Sequence, residues 1–257
     1  LVYINDYEGK ITKINLTNME TKDMGGKNYN LFHHTTLFKT GSTRANGQYM
    51  YFSMDATIGK RSRDAWFFAG TGDFGNITAP GHSNMLLGIK DPDYPMYFEL
   101  PAPGRPGINL ADCEDTTDND GTQACCADLR DCRGWYLNLG ESAKVTGEPT
   151  VYKGNVYFPV YKPDFTGGSC NLGDAFIWTV DDECGYNKCE ALQSVNTDNP
   201  DTGCKDVGGF YVGKGILSGF AAFAGKLFGS KAGTEDQEDT LVILKAAPGE
   251  VTTYRSS

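Results

Sequence analysis

Several absences bound the possibilities first. No uncharged apolar run approaches the roughly 18 residues that a membrane-crossing helix needs. No excess of cations exists: 23 Lys+Arg face 33 Asp+Glu, a net charge of -10 with the three histidines neutral. With no excess of cations to displace counterions from phosphates, this balance argues against a polyanion partner, and no nucleic acid is expected. No G-x-S-x-G, P-loop or H-E-x-x-H motif occurs. Helical periodicity is scarce. Gly213 to Gly229 has apolar residues at a helical spacing, but glycines at 215, 219, 225 and 229 each weaken a helix by about 1 kcal/mol. It reads as two strands around Ala224-Gly225. Cysteine is missing from the first 112 residues and the last 53. The chain opens on Leu1 without a signal-peptide pattern, which predicts a processed or longer parent.

What is present points to strands and tight turns. Glycine numbers 32, and tyrosine and phenylalanine 14 each. Leu1–Asn5 and Ile11–Leu16 flank Asp6-Tyr-Glu-Gly9, a hairpin signal. Val151-Tyr and Val156–Tyr161 flank Lys153-Gly-Asn155; Phe220–Phe223 and Lys226-Leu-Phe flank Ala224-Gly225; Asp239–Lys245 and Glu250–Tyr254 flank Ala247-Pro-Gly249. Single strands are expected at Ala65–Ala69, Met85–Lys90, Met96–Leu100, Gly134–Leu139 and Ala175–Val180. Hairpins recurring in this way predict an all-β fold, a modified β-propeller of about three to four blades. A closed ring needs at least about four and typically more, so the propeller is expected to be incomplete in this chain. One domain over 1–257 is expected, with Cys-rich loop insertions at 101–133 and 181–209.

Eight cysteines, Cys113, Cys125, Cys126, Cys132, Cys170, Cys184, Cys189 and Cys204, fall in polar, Gly-rich segments. Their even number predicts disulfides and an oxidising compartment, with connectivity open among about 105 pairings. Zinc is the weaker reading, since no C-x-x-C exists and His33, His34 and His82 lie elsewhere. Adjacent His33 and His34 point to opposite faces of a strand and cannot easily share one metal. Cys125-Cys126 has the form of a vicinal pair, but an eight-membered ring is strained, so outward pairing is expected. Asp112, Glu114, Asp118 and Asp120, followed by Gly121, are the best candidates for a hard cation such as calcium. The EF-hand frame fails, however: with Gly121 at loop position six, Ala127 stands where a bidentate Glu belongs. A solvated acidic loop is the simpler reading.

The strand segments, taken in order, carry a resemblance. Tyr3-Ile-Asn-Asp-Tyr-Glu-Gly-Lys-Ile-Thr-Lys-Ile-Asn-Leu16, Phe67-Phe-Ala-Gly-Thr-Gly-Asp-Phe74, Leu86-Leu-Gly-Ile-Lys-Asp91 and Gly134-Trp-Tyr-Leu-Asn-Leu139 with Gly140-Glu141, Pro149 and Val156-Tyr-Phe form one series. Tyr161-Lys-Pro, Cys170, Gly173-Asp-Ala-Phe, the Gly213–Leu227 hairpin and Tyr254-Arg-Ser-Ser continue it. This series resembles the C-terminal domain of the PilY family, large secreted proteins of bacterial type IV pili. The resemblance implies a quinoprotein-like propeller at the cell surface or pilus tip, working in pilus assembly, adhesion and surface sensing. It implies minor pilins and a host or abiotic surface as partners. It also implies calcium as cofactor, in a loop that would precede residue 1. No quinone and no catalysis are expected, and no membrane span. The family's Arg-Gly-Asp motif is absent, and Ser62-Arg63-Asp64 is no equivalent. The alternatives are a quinoprotein-type periplasmic oxidoreductase and a lectin-like structural propeller.

Overall fold

The computed structural model of the chain describes residues 1–17, 21–22, 26–105, 110–112, 133–166, 172–194, 203–205, 209–232 and 239–246. Strands β1 (Val2–Asn5) and β2 (Lys10–Ile14) form the expected hairpin. Its turn needs Gly9, which stands at φ +77. A side ribbon of β3 (Thr21–Lys22) and β4 (Asn28–Tyr29) leads to β5 (His34–Lys39), which pairs with β2. The second sheet runs β6 (Asp55–Ile58), β7 (Ala65–Gly70), β8 (Ser83–Asp91) and β10 (Gly134–Glu141), with β9 (Ala111–Asp112) parallel along β10. In the third, β11 (Lys144–Val145) and β12 (Thr150–Tyr152) both pair with β13 (Asn155–Lys162). Beyond β13 follow β14 (Asp174–Asp181), β17 (Phe210–Lys214) and β16 (Gly203–Cys204). In the fourth, β18 (Ile216–Leu217) and β19 (Ala221–Phe223) both pair with β20 (Lys226–Ala232). It continues through β21 (Thr240–Ala246) to β15 (Leu192–Ser194). Among the described residues no sheet closes on itself, and the helical elements are two 3-10 turns, Phe74–Asn76 and Cys189–Ala191.

The four sheets stack in chain order, with a hydrophobic layer between each neighbouring pair. The first layer joins Ile11, Leu37 and Phe38 to Phe67, Leu87 and Ile89. The second joins Trp66, Phe68, Leu86 and Trp135 to Val156, Phe158 and Phe176. The third joins Tyr157 and Ile177 to Leu217, Leu227 and Leu244. Side chains alternate across a strand, so the inner sheets feed two layers at once. On β7, Ala65, Phe67 and Ala69 point into the first layer, and Trp66 and Phe68 into the second. That explains why β7 reads as an unbroken apolar run. The terminal sheets bury one face only: β21 alternates Val242 and Leu244 in the core with exposed Leu241 and Lys245.

A buried ion pair ties the first sheet to the second. Lys13 Nζ lies 2.7 Å from Asp91 Oδ2 with both side chains essentially inaccessible, and donates to the Met96 carbonyl at 2.6 Å. The Tyr3 hydroxyl donates to the same carboxylate oxygen at 2.7 Å.

Two expectations are corrected. Met96–Leu100 is not a strand. Side chains satisfy part of its backbone: Lys13 takes the Met96 carbonyl, and the Leu100 N–H donates to Thr35 Oγ1 at 2.9 Å. Just beyond it, Gly104 bridges to Phe38 of β5. The segment 181–209, expected as a loop insertion, contributes strands to two sheets. It leaves β14, adds β15 to the edge of the fourth sheet, and returns to add β16 to the third. The expected hairpins at 151–161 and 220–228 form, their turns at Lys153-Gly154 and Ala224-Gly225 all at positive φ. Of the last expected hairpin, β21 is seen and 250–254 lies outside the described residues.

Candidate functional site

The leading edge strands of the last three sheets, β6, β12 and β19, lie side by side. Polar side chains stitch them together. Asn5 donates to the Phe52 carbonyl at 2.9 Å and accepts the Met54 N–H at 3.3 Å, tying β1 to the lead-in of β6. Asp55 Oδ2 accepts the Val151 N–H at 2.7 Å. Thr146 and Thr150 donate to the carbonyls of Leu217 and Phe220, at 2.8 and 2.9 Å.

In the third and fourth sheets this leading strand is interrupted, at 146–149 and 218–220. The two interruptions face one another so closely that a Cβ on Gly147 would stand 2.4 Å from the Gly219 nitrogen. Between them and residues 52–55 opens a niche of about 560 Å³. Its walls carry Phe52, Phe220, the carboxylates of Asp55 and Glu148, and the two threonine hydroxyls. Both hydroxyl protons are already donated, so the threonines offer lone pairs only. Among the described residues the lining has no lysine or arginine. Chemically the niche is an acceptor-rich recess with aromatic walls, suited to binding groups that donate hydrogen bonds.

The opposite end of the same sheets is clamped by charge. Glu183 accepts the N–H groups of Arg61 and Ser62 at 2.8 and 2.7 Å, and the Arg61 guanidinium pairs with Asp181. Lys188 Nζ lies 3.2 Å from Asp181 Oδ2. Burial opposes the charge of Glu183, but the two N–H donors outweigh it and hold its carboxyl below the usual range. Burial first, then the charges of Asp181 and Glu183, push Asp182 up to about 6. Trp66 and Trp135 donate to Ser62 Oγ and the Asp182 carbonyl, so the clamp rests on the middle hydrophobic layer. Below it, Asn155 Oδ1 and Thr179 Oγ1 are buried with no hydrogen-bond partner among the described residues.

A second, open groove of about 640 Å³ lies along the third sheet, where Phe165, Phe176 and Tyr211 stand among Lys162, Asp164 and Lys205. The Thr166 hydroxyl and N–H, then Lys214, hold the Asp164 carboxyl down at about 2.

Of the residues singled out in the sequence, Cys189 and Cys204 are joined in a disulfide with Cα atoms 5.8 Å apart. Cys184 is disulfide-bonded as well. Cys113, Cys125, Cys126, Cys132 and Cys170 lie outside the described residues. Asp112 forms the end of β9, in parallel register with Tyr136, while Glu114, Asp118 and Asp120 lie outside the described residues. Among the described residues no group of three or more His, Cys, Asp or Glu is placed to hold a metal ion. Sequence reasoning did not find the niche. Its walls come from three segments about 70–90 residues apart, each reading locally as a turn.

No protein-family model matches the chain, and no curated protein does. Among solved structures, the crystal structure of the Pseudomonas aeruginosa PilY1 C-terminal domain is similar to it, with a TM-score of 0.57 and 13% identity. The match covers 96% of this chain and 57% of that one, so the chain spans little more than half of that domain. The four stacked, largely antiparallel sheets therefore have the propeller-type, all-β fold of the PilY1 C-terminal domain.

Proposed function

We propose that this chain is a binding scaffold of a type IV pilus, supporting pilus assembly and attachment without catalysis. The observation that carries the reading is the fold likeness to the PilY1 C-terminal domain over 96% of the chain. The motifs supporting it fall on structural elements in the same order: the β1–β2 hairpin, the β7 strand and its turn, β8, β10 and the β12–β13 hairpin. The architecture suits a binding role under load. Sheets locked by three shared hydrophobic layers, a charged clamp and a disulfide resist shear better than isolated domains. In this reading minor pilins are the inward partners and a host or abiotic surface the outward one, at the cell surface or pilus tip. Calcium would be bound in a part of the parent preceding residue 1.

The test is genetic. Deleting the parent gene in its own bacterium should reduce sheared surface pili and surface attachment, both restored by the wild-type gene. Unchanged piliation and attachment would sink the proposal. A quinone absorbance band in the purified protein would replace it with the oxidoreductase reading.

A further inference from the structure

Beside the niche, three separate segments bring aromatic rings to one surface. Tyr7 comes from the β1–β2 turn, Tyr49, Tyr51 and Phe52 from the lead-in to β6, and Phe74 from the 3-10 turn after β7. Tyr7 and Tyr51 meet edge to face, with centroids 5.2 Å apart and planes at 78°. Tyr49 stacks on Tyr7 at 4.4 Å and 10°, and Phe74 stands 6.0 Å from Tyr51 and 5.2 Å from Phe52. The strip is open to solvent: Tyr7 is 49% exposed, Tyr51 43% and Phe74 37%. Contiguous exposed rings of this kind mark interaction surfaces, because leaving them in water is unfavourable.

The corner also has a carboxylate. A Cβ on Gly75 would stand 2.9 Å from Tyr51 Oη and 3.4 Å from Asp73 Oδ1, so hydroxyl and carboxylate converge on one small volume. The Asp73 carboxylate is not spent on capping the 3-10 turn that follows it. Desolvation first, and then the charge of Asp73, hold the Tyr7 phenol above its usual range. Lys144 feels the same carboxylate, but its buried ammonium is taken by the carbonyls of Ile77 and Ala79, at 2.9 and 2.8 Å. Glu148 and Asp55 line the niche next door; Asp6 and Glu8 flank Tyr7 in its turn, where Glu8 is paired with Lys10.

We propose that the right-angled corner of Tyr7 and Tyr51, closed by Asp73, is a docking site for a lysine or arginine side chain presented by a protein partner. Ring faces attract a cation through their quadrupole, and the carboxylate completes a charge-assisted hydrogen bond. The acceptor-rich niche alongside extends the same complementarity, and the chain's net charge of -10 steers a basic segment toward it. The site does not depend on the pilus reading: it binds by its own chemistry whatever structure the chain serves.

The test uses the full chain and a fluorescently labelled, acetylated tri-arginine peptide, read by anisotropy at about 150 mM salt. Tri-glutamate and chitotriose are the comparison probes. Tyr51→Ala and Asp73→Asn should each weaken tri-arginine binding about tenfold, while Tyr51→Phe, which keeps the ring, stays within about twofold. Glu190→Gln removes one exposed charge away from the corner and should also stay within about twofold. Three results would overturn the proposal: equal weakening by Glu190→Gln, tighter binding of chitotriose than of tri-arginine, or no preference for tri-arginine over tri-glutamate. The first would mean diffuse acidity and the second a sugar platform. The substituted rings are exposed, and an unchanged thermal midpoint would confirm that each variant is folded.

Discussion

Single buried charges in this molecule do opposite things. Asp182 is raised from an ordinary 3.8 to about 6, so the folded state binds a proton more readily than the unfolded chain between those values. Stability therefore falls as pH rises through that window, and the cost persists at neutral pH. Asp182→Asn should stabilise the protein by on the order of 2 kcal/mol at pH 7, with the gain vanishing below about pH 4. Urea unfolding of both proteins at several pH values checks this, and a gain independent of pH would refute it. Lys13 and Asp91 behave differently, since each neutralises the other in full burial. Lys13→Met alone strands a buried carboxylate, as Asp91→Leu alone strands an ammonium. Each should cost about 3–5 kcal/mol, whereas the double replacement should recover most of that loss. A double-mutant cycle in denaturant gives the coupling, and additive losses would show that the pair is not coupled.

At the scale of elements, the strands were legible where burial alone set them. The run Ala65–Ala69 and the hairpins with Lys153-Gly154 and Ala224-Gly225 carry their geometry in adjacent residues. Met96–Leu100 carries the same apolar signal, yet the strands it touches, β2 and β5, meet it through the side chains of Lys13 and Thr35, and among the described residues it forms no ladder. Whether a ladder forms depends on residues far away in sequence. The same holds for 181–209: polarity and cysteines predict a stapled loop, and nothing local reveals that Leu192–Ser194 pairs with β21, about 50 residues further on. The aromatic corner went unnoticed for a related reason. Tyr7 and Tyr51 are 44 positions apart, and only the packing of the first two sheets makes them neighbours. The disulfide Cys189–Cys204 closes a 15-residue excursion that carries β15 to the fourth sheet. Replacing both cysteines by serine should cost about 3 kcal/mol, the loop-closure entropy for that length. The loss should appear first as faster amide exchange along β15 and β21. Uniform acceleration across all four sheets would argue against a local tether.

The whole molecule is a stack in which neither inner sheet has a hydrophobic layer of its own. The second and third sheets each supply side chains to two layers, so removing one sheet exposes half of the next layer. This predicts one cooperative unfolding transition rather than a blade-by-blade sequence. The tryptophans make the prediction easy to test. Trp66, Trp135 and Trp178 all belong to the middle layer, so indole fluorescence reports that layer while far-UV dichroism reports every strand. Leu227 is fully buried in the third layer, remote from every indole by one sheet. Leu227→Ala should cost about 2–5 kcal/mol. In a cooperative stack, both signals shift to the same lower denaturant midpoint. Were the fourth sheet to unfold independently, dichroism would show an early partial loss and the tryptophan midpoint would stay at its wild-type value. That second pattern would mean that the third layer is a hinge, and that the niche walled by Gly147 and Gly219 opens between separately folding halves.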